Sequence, residues 1–155
     1  MYYGNEIGLT GGDDPDCRRT MEWDTERQDR SLLRFYRHMI ALRKRHAALR
    51  RGTLRFLLAE SGGSQLVYRR QYGEETLLVA INRGPTAVTL SLKIEDAGYI
   101  WRSIESKAGN ASSHWEDDHL VIALPAYEFI ILSAESSNLN LRGGGSAPEL
   151  KPEFV

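Results

Sequence analysis

A run of glycine, aspartate and arginine near the start of the chain, Gly11–Arg19, carries charged side chains of both signs that could bind a ligand. It lies within a longer stretch, Met1–Trp23, that shows no helical or strand periodicity after a strand-like Tyr2-Tyr3-Gly4. Loops of more than about 12 to 15 residues without structure of their own are uncommon unless they bind or cover a site. Carboxylates and guanidinium groups in fixed positions suit a ligand that offers adjacent hydroxyls.

The same charges are open to a purely structural interpretation. Asp14 and Arg18 can pair with each other, or with Asp13, Asp16 and Arg19, only to hold the loop together. Most exposed ion pairs contribute little beyond such local order. Both interpretations therefore stand for this loop.

Three further features resemble chemical motifs, and we interpret each as structural. Asp29 follows Arg27 at a helix start, where an acid either caps the helix or lies in its first turn. The run His114–His119 lies between predicted strands without metal-ligand spacing, so we predict a solvated hairpin turn and no metal site. Cys17 has no His or Asn base beside it in the sequence, so we do not propose a nucleophile. We predict no cofactor.

Two tryptophans give an alternative binding surface. Trp101 and Trp115 could form an exposed platform for a sugar, although aromatic residues in a small β core are more often buried. Their exposure would favour a binding module, and their burial would count against it.

One amphipathic helix is predicted from Asp29 to about His46. Its apolar residues recur three and four positions apart, as a helix with one buried face requires: Leu32, Leu33, Phe35, Tyr36, Met39, Ile40 and Leu42. Acids precede the helix and the bases Arg43, Lys44 and Arg45 end it, which suits the helix dipole.

After Gly52 the hydrophobic period changes from 3.6 to 2, which predicts about seven short strands separated by Gly and Pro turns. The predicted strands are Leu54–Glu60, Gln65–Tyr72, Thr76–Asn82, Ala87–Ile94, Ile100–Glu105, Leu120–Leu124 and Tyr127–Ser133. Short strands at this spacing are typical of an antiparallel sandwich.

Three stretches of the chain, Tyr2–Gly8, Thr10–Arg19 and Met21–Asp24, resemble a known family. They are similar to the eighth strand and following loop of the (β/α)8 barrel in the α-amylase superfamily of glycoside hydrolases. The neopullulanase, cyclomaltodextrinase and maltogenic amylase group is the most similar. Leu124–Leu132 resembles the final strand of the β-sandwich that follows the barrel in that superfamily.

The resemblance implies a mainly β fold with one helix. An antiparallel β-sandwich would be preceded by the last β/α unit of a TIM barrel, and we expect the earlier barrel strands to be missing from this chain. We predict that residues 1–50 form the barrel end, 51–135 the sandwich and 136–155 a flexible tail of Asn, Gly, Ser and Pro.

The resemblance also implies which site residues the chain has. In the superfamily the nucleophilic Asp, the acid Glu and a third Asp follow earlier barrel strands, so we predict no catalytic residue here. Asp14 and Arg18 match the loop residues that hydrogen-bond sugar hydroxyls at a glycone-side subsite, and the ring of Tyr3, or that of Tyr2, could stack on a sugar face. Trp23 is expected to pack the loop against the helix.

The function implied is that of the C-terminal portion of a glycoside hydrolase acting on α-1,4 and α-1,6 glucans. The parent enzyme would use retaining double displacement on an α-glucan oligosaccharide, and this chain, without the missing N-terminal barrel, would be inactive alone. A non-catalytic carbohydrate-binding or interaction module is the alternative. A truncated reading frame without its own function is a third possibility.

The composition of the chain gives no indication of a nucleic acid or membrane partner. The chain has 155 residues, is 26% charged and has a net charge of −1, so no basic excess predicts a nucleic acid partner. No apolar run approaches the roughly 20 residues that span a bilayer. Its single cysteine, Cys17, excludes an internal disulfide, and we expect a cytoplasmic protein.

Overall fold

The computed structural model of the chain describes residues 2–94 and 99–136. The chain divides into two compact units, Met1–Gly52 and Thr53–Val155. The tail predicted for 136–155 lies, from residue 137 onward, outside the described residues. The three-part domain division stays a prediction.

The first unit contains two short 3-10 helices, Asn5–Ile7 and Asp16–Arg18, followed by two α-helices, α1 (Arg30–Arg45) and α2 (Ala47–Arg51). The predicted amphipathic helix is therefore confirmed as α1, the one long helix among the described residues.

The strand predicted at Tyr2-Tyr3-Gly4 is wrong for this structure. Gly4 adopts a left-handed conformation with φ of 84°, and its carbonyl accepts a hydrogen bond from Leu9 N–H at 2.9 Å. A side chain at this position would collide with Leu9, because a Cβ would lie 2.6 Å from Leu9 Cδ2. A strand is held by hydrogen bonds to neighbouring strands. Within residues 2–94 and 99–136 no strand pairs with this segment, so a turn forms instead.

Asp29 is the N-cap of α1, as predicted. Its carboxylate accepts hydrogen bonds from Ser31 N–H at 3.0 Å and Leu32 N–H at 2.9 Å, which satisfies two backbone groups that lack partners within the helix. The hydrogen bonds from Leu32 N–H and from the Ser31 hydroxyl hold the pKa of Asp29 below its ordinary value.

Replacing Asp29 by alanine is expected to lower amide protection in the first turn of α1 by roughly fivefold, the size typical of a lost N-cap. In the unchanged protein the cap contributes fully above about pH 4, the unfolded pKa, and is lost as pH falls through the lower folded-state pKa. Hydrogen exchange at pH 7 and pH 3 measures both effects. Glu26→Ala, a change outside the helix, serves as control, and equal α1 protection in the two variants would contradict the cap.

The second unit contains eight strands among the described residues, one more than predicted. They are β1 (Thr53–Ala59), β2 (Gln65–Tyr72), β3 (Glu75–Asn82), β4 (Val88–Lys93), β5 (Tyr99–Ser106), β6 (Ser112–Glu116), β7 (His119–Leu124) and β8 (Glu128–Ser136). The additional strand is β6, which occupies part of the run predicted to be only a turn. The turn itself is Asp117-Asp118, where Asp117 has φ of 52°.

These strands form an antiparallel sandwich of two sheets. The larger sheet has the order β1-β2-β3-β8-β5 and the smaller has the order β4-β7-β6. Inward side chains of both sheets share one core, which includes Val67, Leu78, Ile130, Leu120 and Ile122. The predicted fold class, mainly β with one main helix and an antiparallel sandwich, is confirmed.

Two buried polar side chains connect this core to its loops. Asn82, at the end of β3, is 1% exposed, and its amide nitrogen donates to the carbonyls of Thr86 and Pro125, each at 2.8 Å. Its amide oxygen accepts from Gly84 N–H at 2.9 Å. Glu128, at the start of β8, is 3% exposed. Its carboxylate accepts from three backbone N–H groups, those of Lys107, Ala108 and Phe129.

Candidate functional site

The predicted sugar contacts Asp14 and Arg18 lie together on the charged loop, Gly11–Arg19. Arg18 Nη2 donates to Asp14 Oδ2 at 2.8 Å, across the start of the second 3-10 helix. Both side chains face solvent, with 67% of Arg18 and 61% of Asp14 exposed. The pairing matches the structural interpretation of the loop, and the exposure leaves both groups accessible to a ligand. Sugar contact by either residue stays a prediction.

A second ion pair on the same loop is more tightly made. Arg19 Nε and Nη2 each donate to the Asp16 carboxylate at 2.7 Å, and Gly12 N–H donates to Asp16 Oδ2 at 2.7 Å. The hydrogen bonds from Arg19, and then that from Gly12, hold the pKa of Asp16 below its ordinary value. The hydrogen bond to Asp16 likewise raises the pKa of Arg19. Asp16 therefore joins residues on both sides of the Asp14–Arg18 pair.

Tyr3 contacts this loop through its hydroxyl. Tyr3 Oη donates to the carbonyl of Arg19 at 2.7 Å. The rings of Tyr2 and Tyr3 lie 4.5 Å apart with planes 35° from parallel, and a hydrogen bond with Tyr3 raises the pKa of Tyr2. The side chain that was predicted to stack on a sugar thus has a partner in the loop, and stacking by Tyr3 stays a prediction.

The loop surrounds an open concavity of about 390 Å³. Its lining residues are Tyr2, Tyr3, Asn5, Leu9, Thr10, Gly11, Cys17 and Arg18. Two of the three predicted sugar contacts, Tyr3 and Arg18, meet there, whereas Asp14 is not among the lining residues. Leu9 is an additional lining residue that lies outside the stretches singled out from the sequence.

Trp23 does not pack as expected. It is 79% exposed, so the prediction that it packs the loop against the helix is wrong for this structure. The turn around it is held by polar contacts, in which Gln28 Nε2 donates to the Glu22 carbonyl at 2.8 Å and Arg27 lies 3.6 Å from Asp24. Polar contacts therefore replace the apolar packing that we expected to fix this segment.

The tryptophan platform is absent from the sandwich. Trp101 is 8% exposed within the core, and Trp115 packs against that core while its Nε1 donates to the Tyr99 carbonyl at 3.2 Å. Because Trp115 lies in a strand with alternating burial, its ring points inward. This arrangement counts against the binding-module alternative.

The run His114–His119 forms strand and turn. His119 Nδ1 lies 2.6 Å from Asp118 Oδ1, and Lys93 Nζ lies 2.8 Å from Asp118 Oδ2. The hydrogen bond from Lys93 lowers the pKa of Asp118. Across the part of the chain that the structure describes, no cluster of His, Cys, Asp and Glu could hold a metal ion. None of the described helices is long and apolar enough to cross a membrane.

The chain is similar to a known domain family and to several known enzymes. Residues 54–131 match the family described as Maltogenic Amylase, C-terminal domain. The chain is 39% identical over 136 residues to a cyclomaltodextrinase of Geobacillus thermopakistaniensis (strain MAS1), an alignment that covers 88% of this chain and 23% of that enzyme. It is 33% identical over 135 residues to an intracellular maltogenic amylase of Bacillus subtilis (strain 168), with 86% and 22% covered.

A solved structure agrees with these relatives. The debranching enzyme of Nostoc punctiforme, soaked with acarbose, superimposes with a TM-score of 0.64 at 26% identity, over 85% of this chain and 25% of that one. The chain thus spans about a quarter of the length of the relatives that it matches. Because the family match covers half of the chain and coincides with the observed sandwich, the chain belongs to the maltogenic amylase C-terminal domain family, in the cyclomaltodextrinase, neopullulanase and maltogenic amylase group of the α-amylase superfamily.

Proposed function

We propose that this chain supplies the C-terminal sandwich and a sugar-binding loop to a larger enzyme that cleaves α-1,4 and α-1,6 glucans by retaining double displacement. The observation that carries the proposal is the extent of the similarity to the cyclomaltodextrinase. An alignment of 136 residues is longer than the whole second unit, Thr53–Val155, so it must extend well into the first unit. The catalytic carboxylates would come from outside this chain, which is therefore inactive alone.

The loop geometry supports a glucan as the ligand. The exposed Asp14 carboxylate accepts hydrogen bonds and the exposed Arg18 guanidinium donates them. The two groups lie 2.8 Å apart, close enough for both to contact adjacent sugar hydroxyls. Tyr3, with its aromatic ring, and Thr10, with its hydroxyl, are among the residues that line the adjoining concavity. The names of the relatives, cyclomaltodextrinase, maltogenic amylase and debranching enzyme, favour an α-glucan oligosaccharide over other polyhydroxyl ligands.

The larger enzyme includes a second part and is located in the cytoplasm. The partner is a (β/α)8 barrel that carries the catalytic residues, with the sandwich in a structural role beside it. A cytoplasmic location is supported by the relative named as an intracellular enzyme. No nucleic acid partner is included in the proposal, because the net charge is −1.

A chimera tests the proposal. This chain replaces the matching segment of the Geobacillus cyclomaltodextrinase, and hydrolysis of β-cyclodextrin, pullulan and maltotriose is measured for the chimera, the truncated relative and the isolated chain. We expect activity in the chimera alone. A folded but inactive chimera would overturn the proposal, and so would activity of the isolated chain that persists through further purification.

Asp14→Asn in the chimera is expected to raise KM for β-cyclodextrin about tenfold with kcat within about twofold, because a charge-assisted hydrogen bond away from the reacting atoms is lost. Steady-state kinetics measures this, with Asp118→Asn as the control. Asp118 is another exposed acid with an ion pair, on the sandwich. Equal KM values for the two variants would show that Asp14 makes no sugar contact.

A further inference from the structure

The charged loop is closed on itself at Asp16. Before Asp16, the Gly12 N–H donates to Asp16 Oδ2 at 2.7 Å, and after it the Arg19 guanidinium donates to both carboxylate oxygens at 2.7 Å. The segment between these two attachments contains both Asp14 and Arg18. One carboxylate thus fixes the two ends of the segment that carries the predicted sugar contacts.

The chain packs so closely at this closure that two positions, 11 and 12, favour glycine. A Cβ on Gly11 would lie 2.9 Å from Asp16 O and from Cys17 Cα, closer than neighbouring atoms tolerate, and a Cβ on Gly12 would lie 3.1 Å from Asp16 Oδ2. Both glycines therefore allow the chain to approach the Asp16 turn. Two backbone hydrogen bonds shape the turn itself, from Asp16 N–H to the Asp13 carbonyl at 2.7 Å and from Arg18 N–H to the Pro15 carbonyl at 3.0 Å.

The Asp16–Arg19 ion pair is too exposed to solvent to contribute much to global stability. Arg19 is 49% exposed and Asp16 is 47% exposed, and ion pairs of this kind contribute little to folding free energy. A paired, two-donor geometry on a half-exposed loop instead fixes local shape, because the planar guanidinium holds the carboxylate in one orientation. Arg19 is held in turn by the Tyr3 hydroxyl, which donates to its carbonyl.

We infer that Asp16 is a positioning residue for glucan binding, which holds Asp14 and Arg18 in the arrangement that engages sugar hydroxyls. The inference rests on the proposed function. Asp16 need not touch the sugar. Its carboxylate keeps the loop in its binding shape before the ligand arrives, so that the ordering cost is not added to each binding event.

Asp16→Asn tests the inference in the chimera and in the isolated chain. The variant keeps the side-chain shape but places an amide NH2 where the carboxylate accepted from Arg19 or Gly12. We expect KM for β-cyclodextrin to rise about tenfold with kcat within about twofold, and exchange of the Gly12 amide to accelerate about tenfold while β3 and β8 stay protected. Arg19→Lys, which retains charge without the two-donor fork, should fall between the variant and the unchanged protein.

The kinetic split distinguishes positioning from a general structural role. A destabilised protein would lose active enzyme, so its kcat would fall with KM unchanged, and that outcome would overturn the inference. If the unchanged chimera is active but Asp16→Asn and Asp118→Asn have equal KM values, the positioning role of Asp16 is overturned and the proposed function stands. An unchanged chimera that folds but hydrolyses none of the three sugars would overturn the proposed function, and the positioning role would fall with it.

Discussion

Replacing Asn82 by aspartate is expected to destabilise the sandwich by about 4 kcal/mol. The amide nitrogen of Asn82 donates to the carbonyls of Thr86 and Pro125, and a carboxylate oxygen in its place would face both carbonyl oxygens without a proton to share. The position is 1% exposed, so water cannot relieve the repulsion. Asn82→Ala, which removes the bonds without adding a charge, should cost about 2 to 3 kcal/mol.

Urea unfolding followed by tryptophan fluorescence measures this difference, because Trp101 and Trp115 both lie in or against the sandwich core. Asn110→Asp is the matched control. Asn110 is exposed, and the same chemical change there should shift stability by less than about 0.5 kcal/mol. If Asn82→Asp were no more destabilising than Asn82→Ala, repulsion between the new carboxylate and the carbonyls of Thr86 and Pro125 would add nothing to the loss of the two hydrogen bonds.

Replacing Glu128 by alanine is expected to cost about 3 kcal/mol. The buried carboxylate accepts from the backbone N–H groups of Lys107 at 2.7 Å, Ala108 at 3.0 Å and Phe129 at 3.0 Å, so its removal breaks three hydrogen bonds, two of them to the loop after β5. Glu128→Gln should cost less, about 2 kcal/mol, because one acceptor oxygen remains.

The matched control lies on the same strand. Glu135 is exposed and makes one ion pair with Arg102 at 2.6 Å, and its replacement by alanine should cost less than about 1 kcal/mol. Urea midpoints of the three variants give the comparison. A loss for Glu128→Ala as small as that for Glu135→Ala would mean that the loop after β5 is not anchored by this carboxylate.

Features that depend on near neighbours were predictable from the sequence. The helix, its basic C-terminus and the Asp29 cap involve partners within a few residues, and a 3.6-residue period reports them directly. The β2–β3 hairpin was equally clear, because two runs of residues that favour strands flank the Gly73 turn. Local pattern and local structure agree in these elements, so the sequence alone located them.

Features that depend on distant partners were not predictable. Strand β6 carries one large apolar residue, Trp115, and only its pairing with β7 shows that it is a strand. The three donors to Glu128 include two from the loop after β5, so the local sequence does not distinguish this acid from an exposed one. Tyr2-Tyr3-Gly4 has the composition of a strand and forms a turn, because a strand needs a neighbour.

The charged loop was predictable only in part. Asp14 and Arg18 were selected by family resemblance, and their pairing was among the interpretations left open. The central position of Asp16 required coordinates, because several acids and bases in one short run allow many pairings. Distance and direction, rather than residue type, decide which acid organises such a loop.

The position of β8 in the larger sheet has a consequence for how the protein is made. β8 is the last described strand in chain order, yet it lies between β3 and β5 and pairs with both. Until the ribosome has released Glu128–Ser136, β3 has a partner on one side only and β5 has none within its sheet. Such long-range pairing folds slowly. The described sandwich therefore completes its fold only after synthesis of β8, and in that interval the unpaired edge of β3 is open to pairing with other chains.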